Sequence, residues 1–324
     1  MPGISFDKVS KDFSRGTESS HAAVQDVTFE VEEGEFVVLL GPSGCGKTTL
    51  MRMVNRLIEP TSGEIRIGDR EVHQISGTEL RRHIGYVIQQ VGLFPHMTVA
   101  QNIAVVPKLL GWDRGRVRTR TDELLELVDL APDEYRKRYP RQLSGGQQQR
   151  VGIARAMAAD PQVMLMDEPF GAIDAITRTD LQNELLRIQR TVKKTVIFVT
   201  HDVEEALRLA DRIAVMRTGR LVQFDTPFNL LSAPADEFVR HLLGAEDVFR
   251  LLSLVPVHEI MQPLDGVDVT GGVSIAGDEY ARAALSAMIA AGVETATVVD
   301  ADEKAIGRVT MTQVMRAGRH EAPK

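Results

Sequence analysis

The chain has 324 residues, 43% of them hydrophobic and 26% charged, with 38 Lys and Arg against 45 Asp and Glu for a net charge of −7. That length exceeds what one hydrophobic core fills, so a large domain with a smaller companion is expected; the acidic balance excludes nonspecific nucleic-acid binding as the main activity, because such binding draws on clustered basic charge. A single cysteine, Cys45, excludes an intramolecular disulfide and fits a reducing cytoplasm, the N-terminal MPGISFDKVSKDF has no signal-peptide core, and no stretch approaches the ~18 apolar residues that span a membrane.

In chain order, AVQDVTFEVEEGEFVVLLG reads as two strands meeting at a turn around Glu33 and Gly34, the second running apolar into Gly41, and KTTLMRMVNRL reads as a helix. GEIRIGD, HIGYVIQ, VMLMDEP, TVIFVTHD and RIAVMRTGRLVQFD read as further strands, separated by helical stretches such as GGQQQRVGIARAMAA and DLQNELLRIQRTV. Buried strands alternating with helices define an α/β sheet between helical layers. The one basic cluster, Arg114 to Arg120, precedes the amphipathic TDELLELVDL and reads as a solvated helix start. After Gly244 the texture changes: VHEIM, a strand-like VDV, an Ala-rich helix, ATVVD and AIGRVTM form a βαββα-like unit, so the domains are expected at 1–244 and 245–324.

GPSGCGKT, Gly41 to Thr48, fits the phosphate-loop pattern and sits between an apolar strand and a helix, the context the mechanism requires. Its glycines let backbone amides face phosphate oxygens at a helix N-terminus, Lys47 is placed for the β- and γ-phosphates of ATP, and Thr48 for Mg²⁺. Four apolar residues lead into Asp167 and Glu168, which places both carboxylates at the sheet's carboxyl edge. Asp167 is read as a partner of Mg²⁺ and Glu168 as the base that polarises the attacking water. Gln89 and His201 also follow apolar strands; a lone histidine there is more often a hydrogen-bonded structural group and a glutamine can merely cap a loop, and it is their shared position at one edge that makes them candidates, Gln89 for the metal and both for catalysis.

The order GPSGCGKT, Gln89, LSGGQ, MLMDEP, Gly171 to Asp174 and His201 resembles the ATPase subunits of ABC transporters from about residue 3 to residue 244. That resemblance implies a P-loop domain with a RecA-like core, an antiparallel β part and a helical part. It implies that Phe13 stacks on adenine, that Gly41, Pro42, Ser43, Gly44, Cys45, Gly46, Lys47, Thr48 and Thr49 hold the phosphates, and that Asp174 helps couple two sites. It also implies a head-to-tail pair in which Ser144, Gly145, Gly146 and Gln147 of one copy close on ATP held by the other, with VGLFPHMTV touching transmembrane permease subunits. The expected location is thus the cytoplasmic face of the membrane, held there by those subunits.

Within the family, GYVIQQVGLFPHMTVAQNI and DEPFGAIDAITR look like importers for quaternary amines and related osmoprotectants, such as glycine betaine, carnitine, choline or proline, which work with a separate solute-binding protein. The C-terminal module resembles a single α+β CBS domain, with IGRVTMTQ ending in Gln313 where the family's pattern normally ends in a ribose-binding aspartate. Nucleotide sensing and simple dimerisation are both open for it. Two other classes fit less well. Chromosome-maintenance relatives insert long coiled coils between loop and signature, yet Lys47 and Ser144 stand 97 residues apart without sustained heptads, and a P-loop kinase has no use for LSGGQ. No nucleic-acid partner is expected, and an importer of some other small solute is the alternative.

Overall fold

The computed structural model describes residues 3–13, 22–89, 92–171, 173–263 and 273–318. The chain divides into two compact units, Met1–Phe224 and Asp225–Lys324.

The first unit is built on a six-stranded sheet in the order Arg220–Asp225, Arg212–Arg217, Phe36–Leu40, Thr195–Thr200, Val163–Asp167, Ile84–Val87. Every residue of Phe36–Leu40, Val163–Asp167 and Thr195–Thr200 is buried, which is why these strands read as unbroken apolar runs rather than alternating ones. Their pairing is parallel, and the register sets Leu40 opposite Thr200, Asp167 opposite Val199 and Val87 opposite Met166. Four strands therefore end along one line, and Gly41, Glu168, Gln89 and His201 follow those ends.

A second, four-stranded sheet has the order Val24–Val31, Ile4–Lys11, Ser62–Ile67, Arg70–Glu71, antiparallel at each join. The two strands expected to meet at Glu33 and Gly34 do so, yet they enter different sheets, and GEIRIGD likewise joins the antiparallel sheet. Phe6 and Phe29 stack at 4.4 Å in the core that Val37, Leu39, Leu50 and Met51 share. RIAVMRTGRLVQFD is two strands, because Thr218 and Gly219 take left-handed conformations and turn the chain. The basic cluster lies inside the helix Arg114–Leu127, which Asp113 caps, and Arg116 covers the Trp112 ring at 3.5 Å.

The second unit pairs Gln262–Pro263, Ala305–Thr310, Thr295–Val299 and Ser274–Ala276 in that order. Its parallel pair, Ser274–Ala276 with Thr295–Val299, is bridged by the helix Ala281–Ala291, whose Ala284, Leu285 and Met288 pack with Ile275, Val298 and Val309. The βαββα order is as expected, with Ser274–Ala276 as its first strand; the expected VDV lies outside the described residues. The unit begins before the expected boundary at 244 because Phe228, on the helix Pro227–Ser232, packs into this core. Among the described residues no helix is long and apolar enough to cross a membrane.

Candidate active site

The central strand Phe36–Leu40 delivers the chain into Gly41 at φ 154°, and the loop closes at Gly46, φ 104°, immediately before the helix Lys47–Val54. A Cβ at Gly41 would lie 2.3 Å from Met216 O, and one at Gly46 2.3 Å from Ala23 O, so neither position admits a side chain. No side chain caps this helix, which leaves its first amides for a ligand, at the end where the dipole favours an anion. Lys47 is buried, and its Nζ donates to Gly41 O at 2.6 Å and Pro42 O at 3.0 Å, with Cys45 Sγ 3.8 Å away. The ammonium sits inside the loop, while Pro42, Ser43 and Gly44 are exposed along its rim.

Thr48 Oγ1 donates to Asp167 Oδ1 at 2.9 Å, and Arg52 stands 3.8 Å from the other oxygen. Asp167 is only 6% exposed. Burial is the largest influence on its carboxyl and raises the pKa above the ordinary value, against the opposing pull of the Thr48 hydroxyl and of Arg52. Arg52 belongs to no motif in the sequence; its one signal there is a charged residue on the helix after the loop, on a turn that faces the sheet edge.

Glu168 takes a left-handed φ of 43° while its N-H still donates to Val199 O at 2.9 Å. That conformation is costly for a residue with a Cβ and turns the side chain out of the strand's alternation. Gln89 Nε2 donates to Glu168 Oε2 at 3.1 Å, and His201 Nδ1 lies 3.3 Å from Oε1. Three strand ends thus converge on one carboxylate.

The structure does not bring every sequence candidate to this edge. Ser144 caps the helix Gly145–Met157 in a capping box with Gln147, whose Nε2 donates to Tyr135 at 3.1 Å, and no hydrogen bond among the described residues joins Ser144 to Gln147 with the phosphate loop. Asp174 caps the helix Ala175–Val192, its Oδ1 accepting from Thr177 N at 3.1 Å. Phe13 is exposed beside Lys11, Nζ 5.2 Å from the ring centroid. In the second unit, Gln313 Oε1 accepts from Thr310 N at 2.8 Å and from Thr310 Oγ1 at 2.9 Å, so the residue standing at the expected ribose position is engaged in capping its own helix. Among the described residues no group of three or more His, Cys, Asp and Glu is placed to hold a metal ion.

A loop whose two end glycines admit no side chain, which presents free amides and holds one buried ammonium, is shaped for phosphate, so the first unit is a P-loop nucleotide-binding domain. Comparison with known proteins narrows the class. Residues 24–171 match the ABC transporter family. The carnitine transport ATP-binding protein OpuCA of Listeria monocytogenes is 47% identical over 312 residues, covering 96% of this chain and 76% of that one. The glycine betaine uptake system ATP-binding protein YehX of Escherichia coli is 48% identical over 298 residues, covering 92% and 94%. Among solved structures, a dimeric post-hydrolysis ATP-binding cassette bound to ADP and Pi is similar at TM-score 0.61 and 34% identity, over 69% of this chain and 98% of that chain. The chain belongs to the ATP-binding proteins of ABC transporters, a family of transport subunits that bind and hydrolyse ATP.

Proposed function

We propose that this chain energises an importer of a quaternary amine or related osmoprotectant, of the glycine betaine, carnitine, choline and proline kind. Two relatives that transport such solutes align through the C-terminal module as well as the ATPase unit, over 92% or more of this chain. Transmembrane permease subunits and a solute-binding protein complete the assembly, with the ATPase peripheral on the cytoplasmic face.

The observation that carries the chemistry is the placement of Glu168 between Gln89 and His201, next to the carboxylate that engages Thr48. Glu168 accepts the proton of the attacking water, His201 and Gln89 orient its carboxylate, and Lys47 leaves the carbonyls of Gly41 and Pro42 to meet the β- and γ-phosphates. Thr48, with Gln89 and Asp167, fits Mg²⁺, which when bound neutralises charge on those phosphates. Phe13 stacks on the adenine. Two copies pair head to tail, Ser144 to Gln147 of one closing on ATP held by Gly41 to Thr49 of the other, with Asp174 coupling the two sites. The helix start at Gly145 is exposed, which supports that pairing. Closure is then driven by ATP binding and reversed when phosphate departs. The second unit forms a CBS-like module that regulates or joins copies, and the internal engagement of Gln313 favours joining over nucleotide binding.

Copurification with the permease and solute-binding protein, followed by ATP-driven uptake of labelled betaine, carnitine, choline and proline into vesicles, tests the reading. Uptake of at least one, lost with Lys47→Ala, is the expected result; ATP-driven uptake of only an unrelated solute contradicts the substrate class.

A further inference from the structure

We propose that Arg178 is a positioning residue for hydrolysis, clamping the segment that carries Asp174 to the loop that carries His201 so that the groups around Glu168 keep one spacing. The proposal rests on the reading of Glu168 as base.

Arg178 lies in the first turn of the helix Ala175–Val192, one turn beyond the Asp174 cap. Its guanidinium serves two acceptors on different segments: one terminal nitrogen donates to Ile173 O at 3.0 Å and the other to Asp202 Oδ2 at 3.3 Å. Asp202 follows His201 and divides its oxygens, Oδ1 accepting from Glu204 N at 2.9 Å and Glu205 N at 3.3 Å to cap the helix Val203–Leu209 while Oδ2 faces Arg178. A turn later on the same helix face as Arg178, Gln182 Nε2 donates to Glu205 Oε1 at 3.3 Å, and Glu205 Oε2 accepts the Thr200 hydroxyl at 2.7 Å. Thr200 is the last residue of the strand that leads into His201. The helix after Asp174 is therefore fixed at two successive turns to the elements that flank His201.

These contacts close a ring around the catalytic carboxylate. On one side Gly171 N donates to Glu168 O at 3.2 Å and Ile173 N to Phe170 O at 3.2 Å; on the other His201 Nδ1 lies 3.3 Å from Glu168 Oε1. Arg178 joins the two sides. Both members of the Arg178–Asp202 pair are about a third exposed, and pairs of that kind contribute little to fold stability. Their value lies in geometry, since a shift of about 1 Å at a reacting centre costs on the order of 100-fold in rate. A planar guanidinium reaches two acceptors at fixed angles, and a lysine ammonium on a flexible stem does not reproduce that fork.

The test is steady-state ATP hydrolysis by the full chain as Arg178→Ala, Arg178→Lys, Asp202→Asn and the Arg178→Ala/Asp202→Asn double variant, with Glu168→Gln as reference. Asn keeps the helix cap, so Asp202→Asn breaks the clamp without relying on the folding of an Arg178 variant. The expected result is a kcat lowered roughly 10- to 100-fold in each, KM for ATP and melting temperature nearly unchanged, and a double variant no slower than the slower single one. A normal kcat in Arg178→Ala or Asp202→Asn, full rescue by lysine, additive losses in the double variant, or a loss that appears as weakened ATP binding overturns the clamp. If Glu168→Gln is slow while Arg178→Ala is normal, the clamp alone fails; if Glu168→Gln turns over normally, the base assignment fails and the clamp with it.

Discussion

Glu168 Oε2 accepts a hydrogen bond from Gln89 Nε2 at 3.1 Å although the two residues are 79 positions apart in the chain. The parallel register that sets Val87 beside Met166 and Asp167 beside Val199 makes this meeting possible, because it ends both strands at one edge. Glu168→Gln keeps the loop, Lys47 and Thr48 intact while removing the proton acceptor. Turnover is expected to fall by about 10²- to 10⁴-fold with ATP affinity preserved, and the ATP-loaded variant to run as a dimer on size exclusion. Hydrolysis near the wild-type rate removes Glu168 from the base role.

Gly145 and Gly46 separate function from fold. A Cβ at Gly145 meets nothing within 4 Å, so Gly145→Ala is expected to melt no lower than wild type, with a gain of up to about 1 kcal/mol from the less flexible unfolded chain. Its turnover is nonetheless expected to drop by on the order of 100-fold, because in the proposed pair the methyl would stand where the phosphate held by the second copy approaches. Gly46→Ala, with its Cβ 2.3 Å from Ala23 O at φ 104°, is expected to lose both stability and ATP binding. Thermal melts beside ATPase rates check the contrast, and an active Gly145→Ala chain contradicts it.

Glu205 is buried, and burial, the largest influence, raises its carboxyl above the ordinary value of 4.5 against the Thr200 hydroxyl bond; the Asp202 charge adds to the rise, and Arg178 and Gln182 oppose it. A folded-state pKa above the unfolded one means the folded chain holds a proton that the unfolded chain has released, so this group's contribution declines as pH rises through that window. Glu205→Gln keeps an acceptor for Gln182 and, with the second bond reversed, a donor to the Thr200 oxygen, without the charge. It is expected to be more stable than wild type by about 0.5–2 kcal/mol above the window and no more stable below pH 4.5. Denaturant midpoints across pH check this; a stability difference that does not change with pH contradicts it.

Cys45 is 4% exposed inside the phosphate loop, so a bulky maleimide is expected to react slowly, to abolish ATP binding once attached, and to be excluded by bound ATP. Labelled protein that binds ATP at full affinity contradicts the placement.

Much of this site could be read from sequence because its parts are local. GPSGCGKT carries its own strand, turn and helix, and VMLMDEP ends its strand at the two carboxylates. What could not be read depends on distant pairing. Phe36 lies beside Val196, so nothing near Glu33 reveals that the strands on either side of the turn enter different sheets. Ser274–Ala276 is too short to show alternation, and Arg178 lies far in sequence from the Asp202 it meets in the fold. Arg52 likewise meets Asp167 only in the fold, the one on the helix after the loop and the other at the end of a distant strand.

In the proposed pair one ATP is gripped by two copies of this chain, by the loop of one and by Ser144 to Gln147 of the other. Mixing a Lys47→Ala chain with a Ser144→Arg chain tests it most directly, since each variant is expected to be nearly inactive alone. If the sites are shared, random pairing restores roughly a quarter of wild-type ATPase activity, one intact composite site in each mixed dimer. No recovery, in a mixture shown to contain mixed dimers, contradicts the shared site.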